Sequence, residues 1–147
     1  MRIPKRAGRE ESHALESAFD SIRRDWGLHH KFQFPDILLR WERFVVDIDD
    51  GYPLGIDSYT QELSLRDELD ALAGLVPPRL AAEIADALRG ADSQFVAVTQ
   101  PIDEPLLPPV DGEALSSRWY RIPCRISPGD DEVARTWANH TKLMLLL

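Results

Sequence analysis

The strongest constraint on this chain is a series of apolar stripes with helical period, each fenced by glycine or proline. Behind Pro35, which suits a first helical turn, Ile37, Trp41, Phe44, Val45 and Ile48 recur at three- and four-residue steps, and Gly51 closes the segment. Such a face must be covered by another element. Between Arg9 and Trp26 the residues Leu15, Ala18, Phe19, Ile22 and Trp26 repeat the pattern, and Gly27 can end it. Ile56, Tyr59 and Leu63 fit one short helical turn. Ser64 with Asp67 then reads as a capping arrangement, with Asp in place of the usual Glu, ahead of Leu65, Leu69 and Leu72.

After Gly74 and the Pro77-Pro78 pair, Leu80, Ile84, Leu88, Ala91, Phe95 and Val98 predict one long helix over 78–98. Gly90 costs about 1 kcal/mol relative to Ala there and marks a position for a kink. The end of this stretch, QFVAVTQ, also fits a buried strand, because Phe, Val and Thr favour strands. Four prolines between Pro101 and Ser117 predict an extended connector. In RWYRIPCRI, Tyr120, Ile122, Cys124 and Ile126 alternate with Arg121, Pro123 and Arg125, as in a strand that Pro123 confines to an edge or a short hairpin. Asp130 or Asp131 can cap a last helix through Val133 and Trp137.

A chain of 147 residues has room for one sizeable core. The expected fold is therefore mainly α: a single-domain bundle of about five helices over 9–147 with a short C-terminal strand or hairpin, preceded by a flexible basic arm at 1–8. Its expected core includes Trp41, Phe44, Leu69, Ile84, Leu88 and Phe95, together with most of the tryptophans. The apolar tail LMLLL is expected to dock on the domain rather than stay exposed.

Charge narrows the partners. The formal net charge is −8, and between Asp36 and Asp70 ten acids face three bases, so most of the excess lies in that one segment. A field of this sign repels nucleic-acid phosphates and attracts a basic protein, although solubility alone also accounts for an acidic surface. The candidate binding residues are Asp47, Asp49, Asp50, Asp57 and Glu62, grouped around Tyr52 and Tyr59. No apolar run is long enough to span a bilayer, and the lone Cys124 suits a reducing compartment, so the expectation is a cytoplasmic protein with no membrane, nucleic acid or cofactor among its partners.

Chemistry-bearing patterns are sparse. His29-His30, with His13 and His140, lacks ligand spacing, so no metal site is expected. Ser116, Ser117 and Cys124 have no His-Asp pattern near them, and no phosphate-binding glycine loop is present. The segment FVVDIDDGY, Phe44 to Tyr52, resembles the opening motif of the haloacid dehalogenase-like phosphatases, an apolar strand followed by Asp-x-Asp. That resemblance implies Asp47 as nucleophile, Asp49 as acid/base and magnesium as cofactor. Thr99, at the end of FVAVT, resembles the family's second motif, and Gly129-Asp130-Asp131 its last. Against it, no lysine lies between Thr99 and Asp130, Gly51 replaces the usual Thr, and the helical spacing of Ile37, Trp41, Phe44 and Ile48 runs straight into the motif. The phosphatase is the alternative to a noncatalytic binding module.

A second resemblance rests on Trp41, Phe44, Val45, Gly51, Tyr52, Tyr59, Leu63, Arg66 and Asp67. This pattern is similar to a group of small, uncharacterised, acidic actinobacterial cytosolic proteins, with Gln61-Glu62 where that group has Asn-Asp, and it extends weakly to Arg118-Trp119 and Arg121. It implies a helical fold and no catalytic residues. The outline also resembles small immunity proteins of contact-dependent inhibition systems, by analogy of shape.

Overall fold

The structure is a computed structural model that describes residues 9–26, 34–106, 116–138 and 144–145. Helix α1 (Arg9–Trp26) is followed by α2 (Phe34–Asp49), α3 (Ile56–Ala73) and α4 (Pro78–Val98). The apolar stripe of α2 is buried as its period requires: Phe34, Ile37, Leu38, Trp41, Phe44, Val45 and Ile48 all point inward. It packs on α3 and α4, which also pack on each other, and α1 lies against α3. Leu69, Ile84, Leu88 and Phe95 complete the expected core.

Aromatic rings fill its centre. Trp41 stands 5.1 Å from Phe95 and 5.5 Å from Phe44, and Phe44 lies 5.3 Å from Tyr59. Tyr59 is in turn 5.3 Å from Trp137, edge to face. Such pairs add to the area that large rings bury.

Three local expectations change. The capping arrangement at Ser64 does not form, because no glycine or proline interrupts 56–73 and α3 runs through it as one helix. Gly90 does not break α4; the position is exposed, and a Cβ there would meet nothing within 4 Å. The strand reading of QFVAVTQ holds only for its last two residues. Helix α4 continues to Val98, and the buried Thr99 bonds back to the Phe95 carbonyl through Oγ1 at 2.6 Å before the chain extends.

That extension is β1 (Thr99–Pro101), which pairs antiparallel with β2 (Arg121–Pro123), Thr99 facing Pro123. The long strand expected over 118–126 is broken into a 3₁₀ turn (Ser117–Tyr120), β2 and β3 (Arg125–Ile126), with half-buried Cys124 between the strands. Pro123 ends β2, where its missing N–H costs no ladder bond. β3 pairs parallel with β4 (Met144–Leu145), so the tail backbone runs beside the domain. Helix α5 (Asp131–Thr136) is capped as expected, Asp130 Oδ1 accepting from the Val133 N–H at 2.8 Å, and Trp137 is buried just beyond it.

The arm at 1–8, Gly27, His29, His30, residues 107–115 of the connector, and His140 lie outside the described residues, as do the side chains of Phe19 and Trp26.

Two outcomes test this packing by denaturant unfolding. Phe44→Ala should cost about 3–5 kcal/mol, as truncating a buried Phe does. Gly90→Ala should instead stabilise by about 0.5–1 kcal/mol, since it removes chain entropy at an open helical position.

Candidate functional site

The fold divides the acidic segment into two parts with different tasks. The first part is internal. Arg66, almost fully buried on α3, donates to Asp92 of α4 through Nε at 3.1 Å and Nη2 at 2.8 Å, and to Asp70 through Nη1 at 2.7 Å. Trp41 of α2 donates its Nε1 to the same Asp92 at 2.8 Å, and the Arg66 guanidinium lies 5.8 Å from the Trp41 ring. Burial works against the charge of Arg66, but the hydrogen bonds and charges of Asp92, and then of Asp70, outweigh it and raise its pKa.

Asp67 is the second acceptor of this part. It takes Ser116 Oγ at 2.9 Å, Arg118 at 3.0 Å and Trp119 Nε1 at 2.7 Å, and Arg118 also pairs with Asp70. These bonds dock the residues after the connector onto α3. Glu68 is buried as well. Asp67 and Asp70 are therefore occupied in holding the fold together.

The second part is a surface. Asp47 and Asp49 occupy the last turn of α2, Asp50 the turn after it, and Asp57 the first turn of α3, all exposed. Among the described residues no basic side chain pairs with any of the four. Glu62 is set lower, half-buried and ion-paired with Arg40 of α2. The structure thus gathers Asp47, Asp49, Asp50 and Asp57 where α2 passes into α3, with Glu62 on the flank.

The loop that carries this end is held from behind by the C-terminal segment. Gly51 turns the chain with a φ of 100°, a conformation that glycine adopts without a Cβ penalty. The Tyr52 N–H donates to the Arg125 carbonyl at 3.1 Å, the Ser127 N–H to the Tyr52 carbonyl at 2.8 Å, and Trp137 Nε1 to the Leu54 carbonyl at 2.9 Å. Gly55 offers α3 no capping side chain. Thr136 Oγ1 takes the Ile56 N–H instead, at 3.2 Å, and a Cβ on Gly55 would come within 2.9 Å of that oxygen.

Tyr52 and Tyr59, expected on the binding face, are core residues, 2% and 0% exposed. Their rings pack on Phe44 and Trp137, and the Tyr59 hydroxyl donates to the Arg121 carbonyl at 2.8 Å. Burial pushes both phenols well above their usual pKa; Glu62 and Asp47 push Tyr52 further, whereas Arg121 opposes the rise at Tyr59.

The Asp47-x-Asp49 pair lies on a helix, not at the C-terminal end of a strand, so the arrangement that the phosphatase resemblance requires is not formed. Of its other residues, Thr99 is buried with its hydroxyl turned to the Phe95 carbonyl, and Asp130 caps α5. Among the described residues no three His, Cys, Asp or Glu side chains converge as metal ligands. An open hollow on α1 is lined by His13, Glu16, Ser17, Asp20 and Arg24, and shares no residue with the acidic end. No helix among the described residues is long and apolar enough to cross a membrane. No protein family, no curated protein and no solved structure matches the chain.

Sequence reasoning missed Arg125 and Thr136 as residues that shape this end, and Asp92, Arg118 and Trp119 as members of the internal network. A partial signal existed, because the pattern quoted above contains Arg66, Asp67, Arg118 and Trp119, four residues that the fold brings into one network.

Asp92→Ala should cost on the order of 3 kcal/mol, since it strips two bonds from a buried guanidinium and one from Trp41 while Asp70 remains. Stability should also fall as pH rises through about 10, because tyrosine ionises there in the unfolded chain while Tyr52 and Tyr59 stay protonated in the fold. A raised folded pKa stabilises the neutral form, so this contribution is complete below that pH and declines above it. Urea midpoints measured across the range, with Tyr52→Phe showing a shallower decline, check the assignment.

Proposed function

We propose that the protein is a noncatalytic binding module that presents the acidic end of α2 and the start of α3 to a basic protein partner, in the manner of a neutralising or immunity factor. The observation that carries this reading is the placement of Asp47, Asp49 and Asp50. The C-terminus of a helix is the negative end of its dipole, where cations are favoured and each nearby anion costs roughly 0.3–1 kcal/mol. Helix α2 has no basic residue in its last turn, two exposed carboxylates there and a third, Asp50, directly after it. Arg125 only partly offsets them, donating to the Asp49 carbonyl at 2.8 Å.

A feature that opposes local stability and meets no internal need points to function. A cationic partner relieves the strain on both sides, and its approach is steered by the summed field rather than by one side chain. Such surfaces raise association rates strongly and lose reach as salt screens them, to about 8 Å at physiological ionic strength.

Replacing Asp47, Asp49 and Asp50 by Asn, singly and together, should raise stability by roughly 0.3–1 kcal/mol each and weaken binding to a lysine-rich peptide stepwise. Thermal melts and fluorescence titrations at two salt concentrations read both effects. Unchanged stability would remove the observation on which the proposal stands. Magnesium-dependent release of phosphate from a simple phosphate ester, lost in Asp47→Asn, would overturn the noncatalytic assignment.

A further inference from the structure

We infer that the outward stripe of α2 is a docking surface for a cationic amphipathic helix of the partner, an inference that rests on the reading above and specifies the shape of what binds. While one face of α2 fills the core, the opposite face exposes Asp36, Leu39, Arg43, Val46 and Asp47, and the exposed Asp50 follows in the next turn. Their helical spacing keeps the five within about one third of the helix circumference. Leu39 is 58% exposed and Val46 53%, and two turns separate them, about 10 Å along the axis. One exposed aliphatic residue on a monomer is ordinary. Two on a single outward stripe give α2 a second apolar seam that no described element covers.

The geometry of the seam selects a helix as occupant. An extended peptide is recognised through main-chain hydrogen bonds to an open sheet edge or in an aromatic-lined groove, and this helical stripe has neither strand nor aromatic residue. Two apolar residues spaced by seven instead match the period with which a second helix presents side chains when it packs at a shallow angle. Charge selects the sign. The stripe and the turn after it carry three aspartates and one arginine, in a chain whose net charge is −8. A second copy of the chain would bring like charges together over the same seam, whereas lysines or arginines flanking the apolar residues of a foreign helix would meet Asp47 and Asp50.

The test uses the full chain and two peptides of identical leucine and lysine composition. One has its leucines on a single helical face; the other has them scrambled around the helix. The amphipathic peptide should bind about tenfold tighter than the scrambled one. In a Leu39→Ser, Val46→Ser double variant that difference should vanish, while the weaker charge-driven binding of the scrambled peptide persists and remains sensitive to Asp47→Asn. Both positions are exposed, so far-UV dichroism should show the variant folded. Equal binding of the two peptides to the unmodified chain would overturn the seam and leave the acidic surface standing. Failure of both to bind would overturn the two readings together. Sedimentation showing a dimer of the chain alone that dissociates in the double variant would also overturn the inference, because the occupant would then be a second copy.

Discussion

Three helices of this fold meet on a single guanidinium. Arg66 belongs to α3, its bidentate partner Asp92 to α4, and Asp92 also receives the indole N–H of Trp41 from α2. Burying a charge is costly unless its hydrogen bonds are met with good geometry, so this arrangement tolerates little displacement of any of the three helices. It converts an apolar bundle, in which many side-chain packings have similar energies, into one with a fixed register. The aromatic centre depends on that register, because Trp41 packs at once against Arg66, Phe44 and Phe95.

A second layer of constraint comes from the C-terminal quarter, which folds over the helices instead of extending the bundle. Asp67 anchors its beginning through Ser116, Arg118 and Trp119, and Thr136 and Trp137 anchor its far part by capping α3 and holding the Leu54 carbonyl. Between these points Arg125 and Ser127 stitch β3 to Tyr52. The acidic end is therefore built on a loop whose backbone bonds are satisfied by residues some 75 to 85 positions away, as the pairs Arg125 with Asp49 and Trp137 with Leu54 show.

This separation explains what the sequence revealed and what it concealed. The stripes of α2 and α4 are local: Ile37, Trp41 and Phe44, or Leu80, Ile84 and Leu88, declare a helix by spacing alone, and they are buried for the same reason. The helical reading of Asp47 and Asp49 followed from the same period. Tyr52 and Tyr59 carried no such mark. Their burial depends on β3 and Trp137 closing over them, a contact across more than seventy residues, so two tyrosines beside acids looked like a surface. Asp67 was legible as an acceptor of hydrogen bonds, but its donors proved to be Ser116, Arg118 and Trp119 rather than the backbone three residues before it. Ser64, read as a cap, had nothing around it to stop a helix that Ile56 had already begun.

The two halves of the acidic segment make the functional argument by contrast. Asp67, Asp70 and Asp92 each have a partner that explains them, and a chain selected only for folding would need no further acids beside them. Among the described residues Asp47, Asp49 and Asp50 have no such partner, and they sit at the helix end least suited to anions. Solubility alone is a weak account of that position, since an exposed carboxylate dissolves a protein equally well at a helix N-terminus, as Asp57 does without opposing a dipole. What the position provides is a rigid platform. Side chains on the last turn of a helix, beside a loop clamped by Trp137 and β3, lose little additional freedom when a partner arrives, and that saving in ordering entropy goes directly into affinity. On the proposed function, a charge that is costly in the free protein has its compensation supplied by the partner.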